Sequence, residues 1–255
     1  MKTIVAHTKL HEDCLKAWNV GETLFVLQRE GQEQEYPDVL SYIGQPSLIM
    51  LSSGTTGKSK PIVIPWEAVK FRCQSVFDAF GDDMEKTALL TSDERNYFFA
   101  RELTMAAGLH RSVISDPKEA TCAIFFGKGY IDFEDTLRKA KDLRLAMSAG
   151  FSMTNKLWHD LKRLTNAKVI TRYGATEVGS ITRTDGEEVI NGNVGKPLNG
   201  VAVRIKDGEV QVKTPGMAAG YIGRDFPLDE GWYKTGDQGW IDDEGNVHIQ
   251  GRKQP

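Results

Sequence analysis

SSGTTGKSK, residues 52–60, combines the glycines, hydroxyls and lysines of a loop that wraps phosphate. A P-loop needs G-x-x-x-x-G-K-[ST] between a strand and a helix. Gly57-Lys58-Ser59 supplies the end of that pattern, but Ser52 stands where its first glycine belongs. The residues that follow, KPIVIPW, place Pro61 and Pro65 around Ile62-Val63-Ile64, which reads as a short extended run. PSLIML (46–51), just before the loop, reads as a buried strand. The stretch is therefore strand, loop, strand: a hairpin-like clamp, with no helix N-terminus to meet phosphate.

Outward from this clamp, helical and extended runs alternate. WEAVKFRCQSVFDAF (66–80), FEDTLRKAKDL (133–143) and NKLWHDLKRL (155–164) carry apolar residues at helical spacing. Between them TALLTS (87–92), CAIFFG (122–127), LRLAMSAG (143–150) and AKVITRYG (167–174) read as strands. This pattern predicts an α/β fold, a mixed or parallel sheet with helices on its faces, whose ligand loops lie at the carboxyl ends of strands. From about Asn193 the texture changes. VAVRIKDGEVQVKT (201–214), GWYKTGDQGWI (231–241) and DDEGNVHIQG (242–251) are short strands joined by Asp-Gly and Glu-Gly turns. The expected division is an α/β core over 1–192, with a short N-terminal part, and a smaller all-β subdomain over 193–250.

The 32 basic and 35 acidic residues leave a net charge of −3, which gives no reason to expect a nucleic-acid partner. Hydrophobic content of 40% and charged content of 26% suit a globular protein. No apolar run approaches a membrane span, and MKTIVAH lacks the apolar core of a signal peptide. The expected location is cytoplasmic. Cys14, Cys73 and Cys122 lie too far apart for a zinc or redox motif. His110, His159 and His248 are scattered.

Five stretches in order carry a resemblance: SSGTTGKSK (52–60), SAGFSMT (148–154), YGATE (173–177), GEVQVKTPGMAAGY (208–221) and WYKTGDQGWIDDEGNVHIQGRK (232–253). Together they resemble the AMP-forming adenylating superfamily of acyl- and aryl-CoA ligases, peptide-synthetase adenylation domains and firefly luciferase. The resemblance implies that Ser52, Ser53, Gly54, Thr55, Thr56, Gly57, Lys58 and Lys60 hold the outer phosphates of ATP. It implies that Ala149, Gly150 and Phe151 lie along the adenine, and that Tyr173, beside Gly174, stacks on it. Thr176 would bond the α-phosphate, and Glu177 would hold Mg2+, a hard ion suited to a carboxylate. Asp237 and Arg252 would bind the ribose. Without the other stretches, YGATE would read equally well as a helix N-cap at Thr176.

The implied reaction is activation of a small carboxylic acid to an acyl-adenylate with loss of pyrophosphate, then capture by the thiol of coenzyme A. Arg95, Asn96 and Tyr97 are the residues expected to bind the acid: the segment has no Phe-Asp pair, and Asn96-Tyr97-Phe98 falls near the family's gate, which favours an acyl or aryl acid over an amino acid. Arg95 and Arg101 would meet a second carboxylate, as in o-succinylbenzoate–CoA ligase, which the chain resembles in brevity. The family also suggests a homodimer. Two departures stand out. Ser59 replaces the usual proline of the phosphate loop, and residues 251–255 match the start of a hinge, with Gln254 in place of the usual hinge residue. The family's small lid and its catalytic lysine would follow. On this reading the chain binds ATP and acyl-adenylate but adenylates slowly. Two alternatives stay open: an adenylate-binding module without full activity, and an amino-acid adenylation domain.

Overall fold

The computed structural model describes residues 3–6, 10–27, 32–52, 59–90, 112–114, 117–126, 134–150 and 153–253. Two β-sheets organise it. The smaller contains β1 (Thr3–Ala6), β2 (Thr23–Val26), β3 (Ser47–Ser52), β4 (Lys60–Pro65) and the two-residue β14 (Gly220–Tyr221), in that order across the sheet. Strands β1, β2 and β3 run parallel, whereas β4 pairs antiparallel with both β3 and β14. The hairpin expected around residues 52–60 is thus present: Ser52 lies opposite Lys60 and Leu51 opposite Pro61. Helix α1 (Leu10–Val20) joins β1 to β2, and the single turn α2 (Pro37–Leu40) precedes β3.

Helix α3 (Trp66–Phe80) leaves β4 directly. Pro65 suits its entry, because proline cannot continue a ladder yet tolerates the first position before a helix. The Trp66 indole donates to the Glu22 carbonyl at 2.8 Å and packs against Trp18 with ring centroids 5.4 Å apart.

The larger sheet begins with parallel strands β5 (Lys86–Leu90), β6 (Ser112–Ile114), β7 (Cys122–Phe126), β8 (Leu145–Ala149) and β9 (Lys168–Ala175). Helices α4 (Glu134–Lys139) and α5 (Asn155–Leu164) connect consecutive strands. The Thr154 hydroxyl caps α5 by accepting from the Leu157 amide at 3.2 Å. Leu157, Leu161 and Leu164 form its buried stripe.

The two faces of the larger sheet feed different cores. Ile124, Leu145, Met147 and Ile170 pack with β2, β3, β4 and α3, while Ala123, Phe125, Ala146 and Val169 pack with the α5 stripe. Burial on both faces is why these strands read as continuous apolar runs.

Beyond β9 the sheet turns antiparallel. Strand β10 (Gly179–Arg183) pairs with β9 and with β11 (Asn193–Pro197), and β11 pairs in turn with β17 (Val247–Arg252). β12 (Ala202–Lys206), β13 (Glu209–Lys213), β16 (Trp232–Ile241) and the short β15 (Leu228–Asp229) complete it. The expected boundary at 193 falls at the start of β11, whose hydrogen bonds reach both neighbours, so the ladder runs through it. No described helix is long and apolar enough to cross a membrane.

Candidate active site

The hairpin β3–β4 sets Lys60, the first residue of β4, opposite Ser52. Its expected partners Ser53, Gly54, Thr55, Thr56, Gly57 and Lys58 lie outside the described residues, as do Phe151, Arg95, Asn96, Tyr97 and Arg101. Where the loop rejoins β4, the Tyr36 hydroxyl donates to the Ser59 carbonyl at 3.3 Å. On the other edge of β4, β14 sets Tyr221 opposite Ile62, and the Ile222 amide donates to the Pro61 carbonyl at 3.0 Å. This register puts the Lys60 ammonium 5.5 Å from the centre of the Tyr221 ring, within cation–π range.

YGATE forms a β-turn hairpin. Tyr173, Gly174 and Ala175 end β9, residues 176–178 turn, and Gly179 opens β10, so no helix starts at Thr176 and the N-cap alternative is excluded. Gly174 pairs with Ser180, and a Cβ at Gly174 would sit 2.4 Å from the Gly179 carbonyl oxygen. Only glycine lets these backbones approach so closely. Glu177 is 9% exposed, and its Oε1 accepts a 2.6 Å hydrogen bond from the Tyr221 hydroxyl. Burial, then the charge of Glu177, pushes the Tyr221 phenol well above its ordinary value, and the same causes raise Tyr233, which hydrogen-bonds Tyr221. Tyr221 is therefore the proton donor to the Glu177 carboxylate.

The ribose candidates meet on the neighbouring ladder. Asp237 of β16 lies opposite Arg252 of β17. Arg252 Nε stands 3.3 Å from Asp237 Oδ1, while its Nη1 donates to the Thr235 carbonyl at 2.8 Å. Tyr173 donates to Asp237 Oδ2 at 2.6 Å. Burial first, then the charge of Asp237, raises the Tyr173 phenol. Beneath this pair the buried Glu209 carboxylate accepts from the Gly236 amide at 3.0 Å and meets Lys253 at 3.5 Å.

The structure thus links Lys60 to Glu177 through Tyr221, and Tyr173 to Asp237 and Arg252, with Tyr173 and Glu177 on one hairpin. Ala149 ends β8 beside Arg172 of β9, and Gly150 follows in the left-handed region at φ 75°. Sequence reasoning missed Tyr221, Tyr233 and Arg72. Tyr221 closes the quoted stretch GEVQVKTPGMAAGY, yet its partner is 44 residues away. No group of three or more His, Cys, Asp or Glu able to hold a metal occurs among the described residues. A lone buried carboxylate fits Mg2+, which keeps several waters and binds through one or two carboxylates plus substrate phosphates.

Residues 104–222 match the family model described as AMP-binding enzyme. The malonate–CoA ligase of Arabidopsis thaliana is 25% identical over a stretch covering 99% of this chain and 50% of that protein. The 2-succinylbenzoate–CoA ligase of Bacillus velezensis is 37% identical over 33% of this chain and 21% of the relative. Among solved structures, the O-succinylbenzoate coenzyme A synthetase from Bacillus subtilis in complex with AMP superposes with a TM-score of 0.72 at 20% identity, covering 96% of this chain and 62% of that one. The chain spans about half the length of the malonate–CoA ligase.

Proposed function

We propose that the chain is the nucleotide- and acid-binding part of an acid–CoA ligase of the AMP-forming adenylating superfamily, a reading supported by the family match over residues 104–222 and by the similarity to CoA ligases. In the reaction, a carboxylate oxygen of the acid attacks the α-phosphorus of ATP, and the bond to the bridging oxygen breaks as pyrophosphate leaves. The thiol of coenzyme A then attacks the acyl carbon and AMP departs. The observation that carries this reading is the connected set of contacts from Lys60 through Tyr221 to Glu177, and from Tyr173 to Asp237 and Arg252. These contacts join residues of sequence-distant stretches, which supports a shared nucleotide site.

On this reading Ser52, the loop 53–58 and Lys60 grip the outer phosphates, and Thr176 bonds the α-phosphate. Asp237 takes the ribose hydroxyls. Tyr173 and Arg252 already orient that carboxylate, so little reorganisation is needed on binding. Ala149, Gly150, Phe151 and Tyr173 frame the adenine, while Arg95, Asn96 and Tyr97 face the acid. Glu177 would hold Mg2+, which offsets charge at the phosphates when bound. The chain's own contribution is mainly placement, since this chemistry needs no covalent residue.

Calorimetry with ATP, AMP, GTP and a non-hydrolysable acyl-AMP mimic tests the proposal. Adenine preference and tightest binding of the mimic are expected. Equal binding of GTP and ATP, or no binding of the mimic, overturns it. Pyrophosphate exchange across acyl, aryl and amino acids then identifies the acid.

A further inference from the structure

Arg72 lies on α3, twelve positions after Lys60 (72 − 60), and is only 5% exposed. Its guanidinium donates from three nitrogens to three backbone carbonyls: Nε to Gly216 at 2.7 Å, Nη1 to Thr176 at 3.1 Å and Nη2 to Glu177 at 3.1 Å. Two of these carbonyls belong to the turn that carries the proposed phosphate and metal ligands. The third belongs to the segment leading into β14, and hence to Tyr221. The Ala218 amide ties the same segments together by donating to the Glu177 carbonyl at 2.7 Å.

Glycines make room for the arginine stem. A Cβ at Gly179 would stand 3.0 Å from Arg72 Cγ and Cδ, and one at Gly216 would stand 3.1 Å from Cγ. Both contacts are tight, so the stem occupies the space that side chains would fill at these positions. A buried charge is costly unless hydrogen bonds satisfy it, and a planar fork holds several carbonyls in fixed directions where an ammonium would act as a point charge.

We propose that Arg72 is a positioning residue: it fixes the Thr176–Glu177 turn and the Tyr221 segment relative to the phosphate-loop hairpin, which leads straight into its own helix. This rests on the proposed nucleotide function. These three bonds of Arg72 go to backbone carbonyls rather than to side chains that would meet the nucleotide. Arg72 sets where Glu177 stands with respect to Lys60, and so acts on the outer phosphates and their metal, whereas Asp237 and Tyr173 are held by other contacts.

The test compares the parent chain with Arg72→Lys and Arg72→Met. In each, MgATP, metal-free ATP and AMP binding are measured by calorimetry, and amide hydrogen exchange is followed without ligand. Loss of an outer-shell support should weaken MgATP binding by about tenfold or more. AMP, which meets this turn only through Thr176, should lose clearly less affinity than MgATP, so the advantage of MgATP over metal-free ATP shrinks. Amides of residues 176–179 should exchange faster while those of β8 and α5 keep their protection. Parallel loss of AMP and MgATP affinity, or unchanged MgATP binding in a folded variant, overturns the proposal. If Arg72→Met does not fold, Arg72→Lys decides by the same readings. Failure of the parent to bind any adenine nucleotide overturns the functional reading instead, and the exchange pattern at 176–179 still shows whether Arg72 holds the turn.

Discussion

The Tyr173 hydroxyl donates to Asp237 Oδ2 at 2.6 Å and so joins the end of the parallel sheet to a strand of the antiparallel part, 64 residues later. Arg252 approaches the other oxygen of the same carboxylate. Both acceptor directions of Asp237 are thus set before any ligand arrives.

Tyr173→Phe removes that donor and little else. A hydrogen bond to a charged group at a partly buried site contributes about 1–2 kcal/mol, which for a chain of this size lowers the melting temperature by roughly 2–4 °C per kcal/mol. AMP affinity should fall as well, because Asp237 loses its orientation. A variant that melts and binds like the parent contradicts this assignment.

Gly174→Ala should be the more damaging change. Its Cβ would meet the Gly179 carbonyl oxygen at 2.4 Å, a backbone atom that cannot swing aside. The hairpin must open, at a cost of about 2 kcal/mol or more. Thermal melting together with amide exchange at 174–180 checks this; an undisturbed turn refutes it.

Lys60→Met keeps the stem on β4 and deletes the charge. Loss of one such donor to a charged centre typically costs about 100-fold in turnover. Pyrophosphate exchange by a form of the protein that supports it should fall by about that factor, with AMP binding unaffected. Weakening of AMP to the same degree as ATP would show that Lys60 does not address the outer phosphates.

Alkaline pH should reveal the buried phenols. Tyr173, Tyr221 and Tyr233 all ionise less readily in the folded chain than at the ordinary value of 10.0, with burial the first cause in each. Above pH 10 the unfolded chain releases these protons while the folded one keeps them. Their contribution is therefore complete below pH 10 and declines as pH climbs toward the folded values. Between about pH 8 and pH 11, melting temperatures should drop more in the parent than in Tyr221→Phe. Equal drops would mean that Tyr221 titrates freely.

The hairpin around SSGTTGKSK, the β/α alternation and the helices at 66–80 and 155–164 were legible because each is written in local periodicity and in where prolines and glycines fall. Lys60, Thr176, Glu177, Asp237 and Arg252 were legible as candidates because they sit in short motifs with fixed neighbours. YGATE by itself was ambiguous between a helix cap and a turn. The pairing of β10 against β9 decided for the turn; Gly174 permits that pairing, but the strand it pairs with lies outside the five-letter motif.

Which side chains meet was decided by the tertiary structure alone. Tyr221 reaches Glu177 across 44 residues and Arg72 reaches the Glu177 carbonyl across 105. Such partners depend on how two sheets share one core, through Met147, Ile170 and the buried face of α3, and a one-dimensional pattern records which face of an element is apolar but not what it will pack against. The sequence by itself determined the elements and the chemical groups they carry. Packing determined the distances between those groups, because the apolar contacts that seat one sheet on the other carry no local signature.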